Sequence, residues 1–225
     1  MLYLPPHFRE SDIAVLQAGI RAIGFGSLIT TAKDGSLLIS QFPVVLDSSV
    51  GPLGQLRCHV SRANPHWRTI AAGARGLLIY SGPQAYITPA WYPSKHEHGK
   101  VVPTWNYAVV HAHGAAEVVD DRDWLVRHVS ELTDQQEAGA AVPWATSDAP
   151  GNFIEVLSRG IVGMRFTIDR LEGKAKMSQN RELPDRAGVV AGLKGRKTEA
   201  DAKVADLVAA HAENGSAPPG GRRGD

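Results

Sequence analysis

Residues 25–46 read FGSLITTAKDGSLLISQFPVVL. Two runs rich in apolar and β-branched residues, 25–31 and 36–46, flank Lys33-Asp34-Gly35. Asp-Gly supplies the positive backbone angles of a tight hairpin without a Cβ clash at the glycine, so the stretch predicts two antiparallel strands. Outward from it, 55–60 and 77–81 are short apolar strands, and 161–168 is another. Residues 106–119 alternate as one long strand with Val109, His111 and His113 on a common face. Ser11 or Asp12 caps a helix carrying Ile13, Leu16, Ile20 and Ile23 at helical spacing. Asp121 caps a second that reaches Glu137, with Trp124, Leu125, His128, Val129 and Leu132 facing inward. Residues 61–67 turn into a short helix, and 150–159 and 198–213 are further helical segments.

Strands joined by tight turns and flanked by a few helices predict a mainly β, α+β architecture built on a small antiparallel barrel. Strands and helices do not alternate regularly, and no glycine fingerprint follows a first strand, which argues against a doubly wound fold. The expected organisation is a barrel domain with peripheral helices over 1–193, a C-terminal helix over 194–213, and a disordered Gly/Pro/Arg-rich tail over 214–225.

The 225 residues are enough for a sizeable core, and 43% hydrophobic with 21% charged residues is ordinary for a soluble domain. A net charge of +1 gives no global argument for nucleic acid or anionic membrane. One cysteine, Cys58, excludes a disulfide framework and a cysteine-rich zinc site. MLYLPPHFRESD has no basic segment followed by an apolar run, and no apolar stretch approaches spanning length. A cytoplasmic protein without membrane association is the expectation.

Residues 83–107 hold Tyr86, Trp91, Tyr92, Trp105 and Tyr107, five of the chain's ten Trp and Tyr, beside Lys95 and Lys100. Such a segment is either an irregular loop pinned over the core by its rings, or a pocket for a flat anionic ligand that needs rings to stack on and cations to meet. A second run, Lys174-Ala175-Lys176-Met177-Ser178-Gln179-Asn180-Arg181, is either a solvated basic loop or a phosphate-chelating one. In His59-Val60-Ser61-Arg62-Ala63-Asn64-Pro65, free amides and the Arg62 guanidinium suit an anion, while Asn64 before Pro65 equally reads as a helix cap. His111 and His113, two apart on a strand, suit a metal or a haem. No third ligand of fixed geometry is evident, so no metal site is expected; His59 is the better single axial ligand if haem is bound. Cys58 reads as a packed thiol. No Gly-x-Ser-x-Gly elbow, His-Glu-x-x-His, Walker loop or basic helix-turn-helix occurs.

Taken together, Tyr3-Leu4-Pro5-Pro6-His7-Phe8, HVSRANPHW at 59–67, GPQAYITPAWY at 82–92, HGKVVPTWNYAVVHAHG at 98–114 and KMSQNR at 176–181 resemble the PaiB-type FMN-binding "negative transcriptional regulator" family. The resemblance implies a split β-barrel of the kind found in pyridoxamine-phosphate oxidase, a homodimer with FMN held between subunits. It implies that Arg62, Lys100, Thr104 and Ser178–Arg181 (Ser178, Gln179, Asn180, Arg181) grip FMN, with Trp91, Trp105, Asn106 and Tyr107 framing its ring. His59, Asn64 and Lys176 join that set from the clusters above. Gln41, Cys58 and Ala175 depart from the family's pattern.

Three functions follow as expectations. The first is an FMN-binding regulator or small oxidoreductase. The second is a haem b enzyme of the same fold, piperazate-synthase-like or haem-degrading. The third, a DNA-binding repressor using Lys194, Arg196, Lys197, Arg222 and Arg223, has little support from a near-neutral charge.

Overall fold

The computed structural model describes residues 1–213; the expected tail at 214–225 lies outside them. In chain order the strands are β1 (Arg9–Glu10), β2 (Phe25–Thr31), β3 (Leu37–Pro43), β4 (Val45–Asp47), β5 (Gln55–Ser61), β6 (Arg75–Ile87), β7 (Thr104–Val119) and β8 (Ile161–Lys176). The helices are α1 (Ile13–Ile23), α2 (His66–Ala71), α3 (Ser94–His98), α4 (Arg122–Glu137), α5 (Phe153–Ser158), α6 (Leu183–Gly195) and α7 (Glu199–Glu213). Neighbouring strands follow the order β3-β2-β6-β7-β8-β5-β4, with β1 on β8.

The Asp-Gly hairpin forms with Thr31 opposite Leu37 and Ser27 opposite Gln41, and Gly35 takes φ 84° as its turn requires. The run 36–46 is interrupted at Val44, whose amide bonds Gly24 O instead of continuing the ladder. Asp12 accepts from the amides of Ala14 and Val15 to cap α1, and Asp121 accepts from Trp124 N to cap α4.

The chain divides into two compact units. Among the described residues, one comprises 11–80 and 110–172, the other 1–10, 81–109 and 173–213. The first holds the barrel core, where Leu28, Leu56, Leu78, Tyr80, Met164 and Phe166 are at most 1% exposed. Cys58 belongs to it and is sealed from solvent, and burial pushes its thiol well above the ordinary range. The second unit has its own core of Ile87, Tyr92, Met177, Val189, Leu193, Val204 and Val208, built around α6 and α7, which pack on each other.

Three elements differ from the sequence reading. Strands β6 and β8 are longer than expected, because β6 starts at Arg75 and runs on past Ser81 to Ile87, and β8 runs on through Gly173 to Lys176. Helix α6 was not expected at all: its glycines, Gly188 and Gly192, lower helix propensity but admit Trp91 against the helix. A Cβ at Gly192 would lie 2.2 Å from the indole. Among the described residues no helix is long and apolar enough to cross a membrane.

Candidate functional site

In the second unit the start of β7 and the end of β8 bring Thr104, Asn106 and Tyr107 to the cationic run. The Lys176 ammonium donates to Thr104 Oγ1. Asn106 is fully buried, and its Nδ2 donates to Ser178 Oγ at 2.9 Å. Its Oδ1 is sealed from solvent with no partner, an arrangement that costs roughly 1–3 kcal/mol unless a donor reaches it. Rings surround the cations. Lys174 Nζ lies 5.2 Å from the centre of Tyr107 and 5.1 Å from that of Tyr3. Arg181 sits 4.7 Å above Tyr92, and Lys176 6.0 Å from Phe8.

The run 174–181 is not a solvated loop. Lys174, Ser178 and Gln179 are each less than a tenth exposed, and Met177 is fully buried. Gln179 folds back so that its Oε1 accepts from Met177 N and its Nε2 donates to Ala175 O, both at 2.6 Å. Arg186, buried on α6, donates to the carbonyls of Arg181 and Gln179. Its neighbour Asp185 accepts from the amide and hydroxyl of Ser94. Ser178 is held at φ 63°, a left-handed conformation that costs a non-glycine residue of order 1 kcal/mol or more and persists only where its surroundings impose it.

Among the described residues, Lys174, Lys176 and Arg181 form no ion pair. Burial, and then the charges of Lys174 and Arg181, hold the Lys176 ammonium below its usual pKa. Three clustered cations without a counter-charge favour an anion, and the rings beside them favour a planar, conjugated one.

The other residues marked in the sequence have separate settings. Trp91 is packed on α6 beneath Arg196, whose guanidinium is 4.5 Å from the indole centre. Trp105 is 53% exposed, edge-on to Tyr86 at 6.1 Å. Lys100 and Asn180 are exposed. His59, Arg62 and Asn64 belong to the barrel unit. There Arg62 grips Asp120 through both terminal nitrogens and donates to the carbonyls of Arg159 and Ile161. Asn64 accepts from His66 N and donates to Ser40 Oγ, which ties the turn before α2 to β3; the N-cap position itself is Pro65. His59 Nδ1 meets His128 Nε2 at 3.2 Å, and Trp124 stacks on His128.

Sequence reasoning named Lys174 and Tyr92 within the cationic and aromatic segments without assigning them to the FMN grip, and did not mark Tyr3, Phe8, Asp185 or Arg186 as site residues. Lys174 lay inside the cationic run and was within reach of that reasoning. Asp185 and Arg186 were not, since nothing in the sequence pairs α6 with the turn before it.

Residues 2–170 match the family described as "Putative FMN-binding domain", and the chain belongs to that family. The match ends before the cationic run, but full-length relatives extend across it. The chain is 35% identical to the uncharacterized protein AN0679 of Emericella nidulans, covering 92% of this chain and 96% of that one. It is 26% identical, at the same coverage, to the protease synthase and sporulation protein PAI 2 of Bacillus subtilis. In structure it is similar to the FAD and heme binding protein of Mycobacterium smegmatis, with a TM-score of 0.55 at 18% identity over 75% of this chain and 73% of that one. The fold is thus the split barrel of FMN-binding proteins, and a PaiB-type protein is among the relatives.

Proposed function

We propose that the chain binds FMN at the cation-and-ring cluster of its second unit and acts as a PaiB-type flavin protein. The observation that carries this reading is the group Lys174, Lys176 and Arg181, three cations without a carboxylate partner among the described residues, set around buried Asn106 with its unpartnered acceptor. The residues fit the cofactor. Lys176 and Arg181 supply charge for the phosphate, Ser178 and Thr104 supply hydroxyls, and Tyr107 supplies a ring face. When bound, FMN supplies hydride or single-electron chemistry. The chain's own part is to neutralise the phosphate, orient the ring and keep water from it.

Arg62 and Asn64 are left out of this grip because each already holds the barrel's own turns. Exposed Trp105 and Tyr86 are where a second copy would complete the cover, consistent with a homodimer. Between the two roles open to such a protein, a small flavin oxidoreductase is favoured over a DNA-binding regulator, since a net charge of +1 provides little phosphate neutralisation for DNA. The test is the absorption and fluorescence of the purified chain with FMN and, separately, with haem. Quenching of FMN fluorescence at one equivalent per chain is expected. Absence of quenching together with a Soret shift on haem addition would replace the flavin with haem.

A further inference from the structure

In the barrel unit, the face of β7 that carries His111 and His113 lies beside Glu172 of β8. One nitrogen of each imidazole and a carboxylate oxygen of Glu172 all lie within 4.8 Å of one another. We propose that these three side chains form a divalent transition-metal site, independent of the flavin reading and suited to Zn2+ or a similar borderline ion.

Two neutral nitrogens and one carboxylate oxygen are the donor set of open zinc sites, where a fourth position stays available to water or another ligand. Around a tetrahedral ion such donors stand about 3.4 Å apart, from metal–ligand distances near 2.1 Å. Small side-chain rotations therefore close the cluster with no change in backbone. The i, i+2 spacing on a strand holds the two rings on one face, with centres 6.3 Å apart. His113 also lines a cavity of about 350 Å3 with Thr30, Gly76, Asp169 and Arg170, which gives its imidazole an approach from solvent.

The competing explanation is a self-sufficient polar network. His113 Nε2 lies 2.8 Å from Glu172 Oε2, and Arg170 contacts both His113 Nδ1 at 3.0 Å and Glu172 Oε1 at 3.1 Å. Because a guanidinium only donates, His113 Nδ1 is the acceptor there and Nε2 carries the proton given to Glu172. That network accounts for His113 and Glu172. It leaves His111 unexplained: its Nδ1 is sealed from solvent and has no partner. A metal ion would draw an imidazole nitrogen of His111 into one set with the other two side chains.

Arg170 then has a definite role. Its charge faces the carboxylate that the ion would use, and its side chain is 44% exposed and able to swing into water. It acts as a counter-charge held in place until a metal displaces it. Its removal tightens binding, whereas in a purely structural network its removal does nothing for a metal.

The experiment is a titration of the full chain with Zn2+, followed by equilibrium dialysis, and with Co2+, followed by visible absorption. One equivalent per chain is expected, with the Co2+ bands of a site containing nitrogen ligands. His111→Ala and Glu172→Gln should each weaken binding tenfold or more, and Arg170→Gln should tighten it several-fold. His96→Ala/His98→Ala, on the exposed helix α3, should leave it unchanged. If His111→Ala does not fold, the Arg170→Gln titration decides alone. No binding, binding unaltered by Glu172→Gln, or weakening by Arg170→Gln would each overturn the assignment.

Discussion

Asn106 Nδ2 donates to Ser178 Oγ across 2.9 Å, joining β7 to the turn that follows β8 with both side chains almost wholly buried. This bond ties the aromatic segment to the cationic run. It also fixes the amide so that Oδ1 is the atom left for a ligand. Asn106→Ala removes both functions. FMN affinity should fall by about tenfold or more, since a buried hydrogen bond of this kind is worth about 1–3 kcal/mol. Fluorescence titration measures the loss, and an unchanged Kd would show that the ligand does not reach this amide.

Packing of Trp91 on α6 sets a second expectation. Gly192→Ala places a methyl group against the indole, and overpacking of this type costs about 1–3 kcal/mol. A fall in Tm of roughly 2–10 °C is expected by calorimetry, whereas Gly195→Ala, with nothing near its Cβ, should not lower it.

The barrel unit carries buried histidines that fold in the neutral form. Burial, then His59 and Arg57, push His128 down to about 3, and burial lowers His59 and His66 as well. The unfolded chain takes up these protons near pH 6.5, before the folded chain does. Stability is therefore fully present above that value and is lost as pH falls from about 6.5 toward 3, with a slope of about 1.4 kcal/mol per pH unit for His128 alone. Denaturant melts at pH 7.5, 6 and 5 should show this decline, and His128→Gln should flatten it. A flat wild-type profile would contradict neutral burial.

Cys58 offers a simple probe of the same core. Its Sγ contacts Met164 O at 3.9 Å, and the side chain is 1% exposed. A thiol reagent should label the native chain at least a hundredfold more slowly than the denatured chain, because reaction needs an exposed thiolate. Rapid labelling under native conditions would mean that β5 opens readily.

How much of this was legible in the sequence varies by element. The hairpin at Asp34-Gly35, the caps at Asp12 and Asp121 and the inward face of α4 follow from local rules, and the structure keeps them. The extension of β8 into Lys174–Lys176 did not follow, because two lysines in three residues look solvent-facing. Only the rings of Tyr3, Tyr107 and Phe8, remote in sequence, surround the ammonium groups of that stretch. Helix α6 escaped notice because Gly188 and Gly192 disguise a helix whose real constraint is the bulk of Trp91. Glu172 was likewise hidden as a partner of His113, since pairing between β7 and β8 cannot be read from either strand alone.

The most direct measurement of the proposed flavin site is FMN affinity across Lys176→Ala, Arg181→Ala and the hairpin control Lys33→Ala. Loss of a charge-assisted phosphate contact costs about 1.5–3 kcal/mol, so Kd should rise roughly 10- to 150-fold for the first two and stay at the wild-type value for the third. Equal affinity in all three variants would show that the cations around Asn106 hold no phosphate.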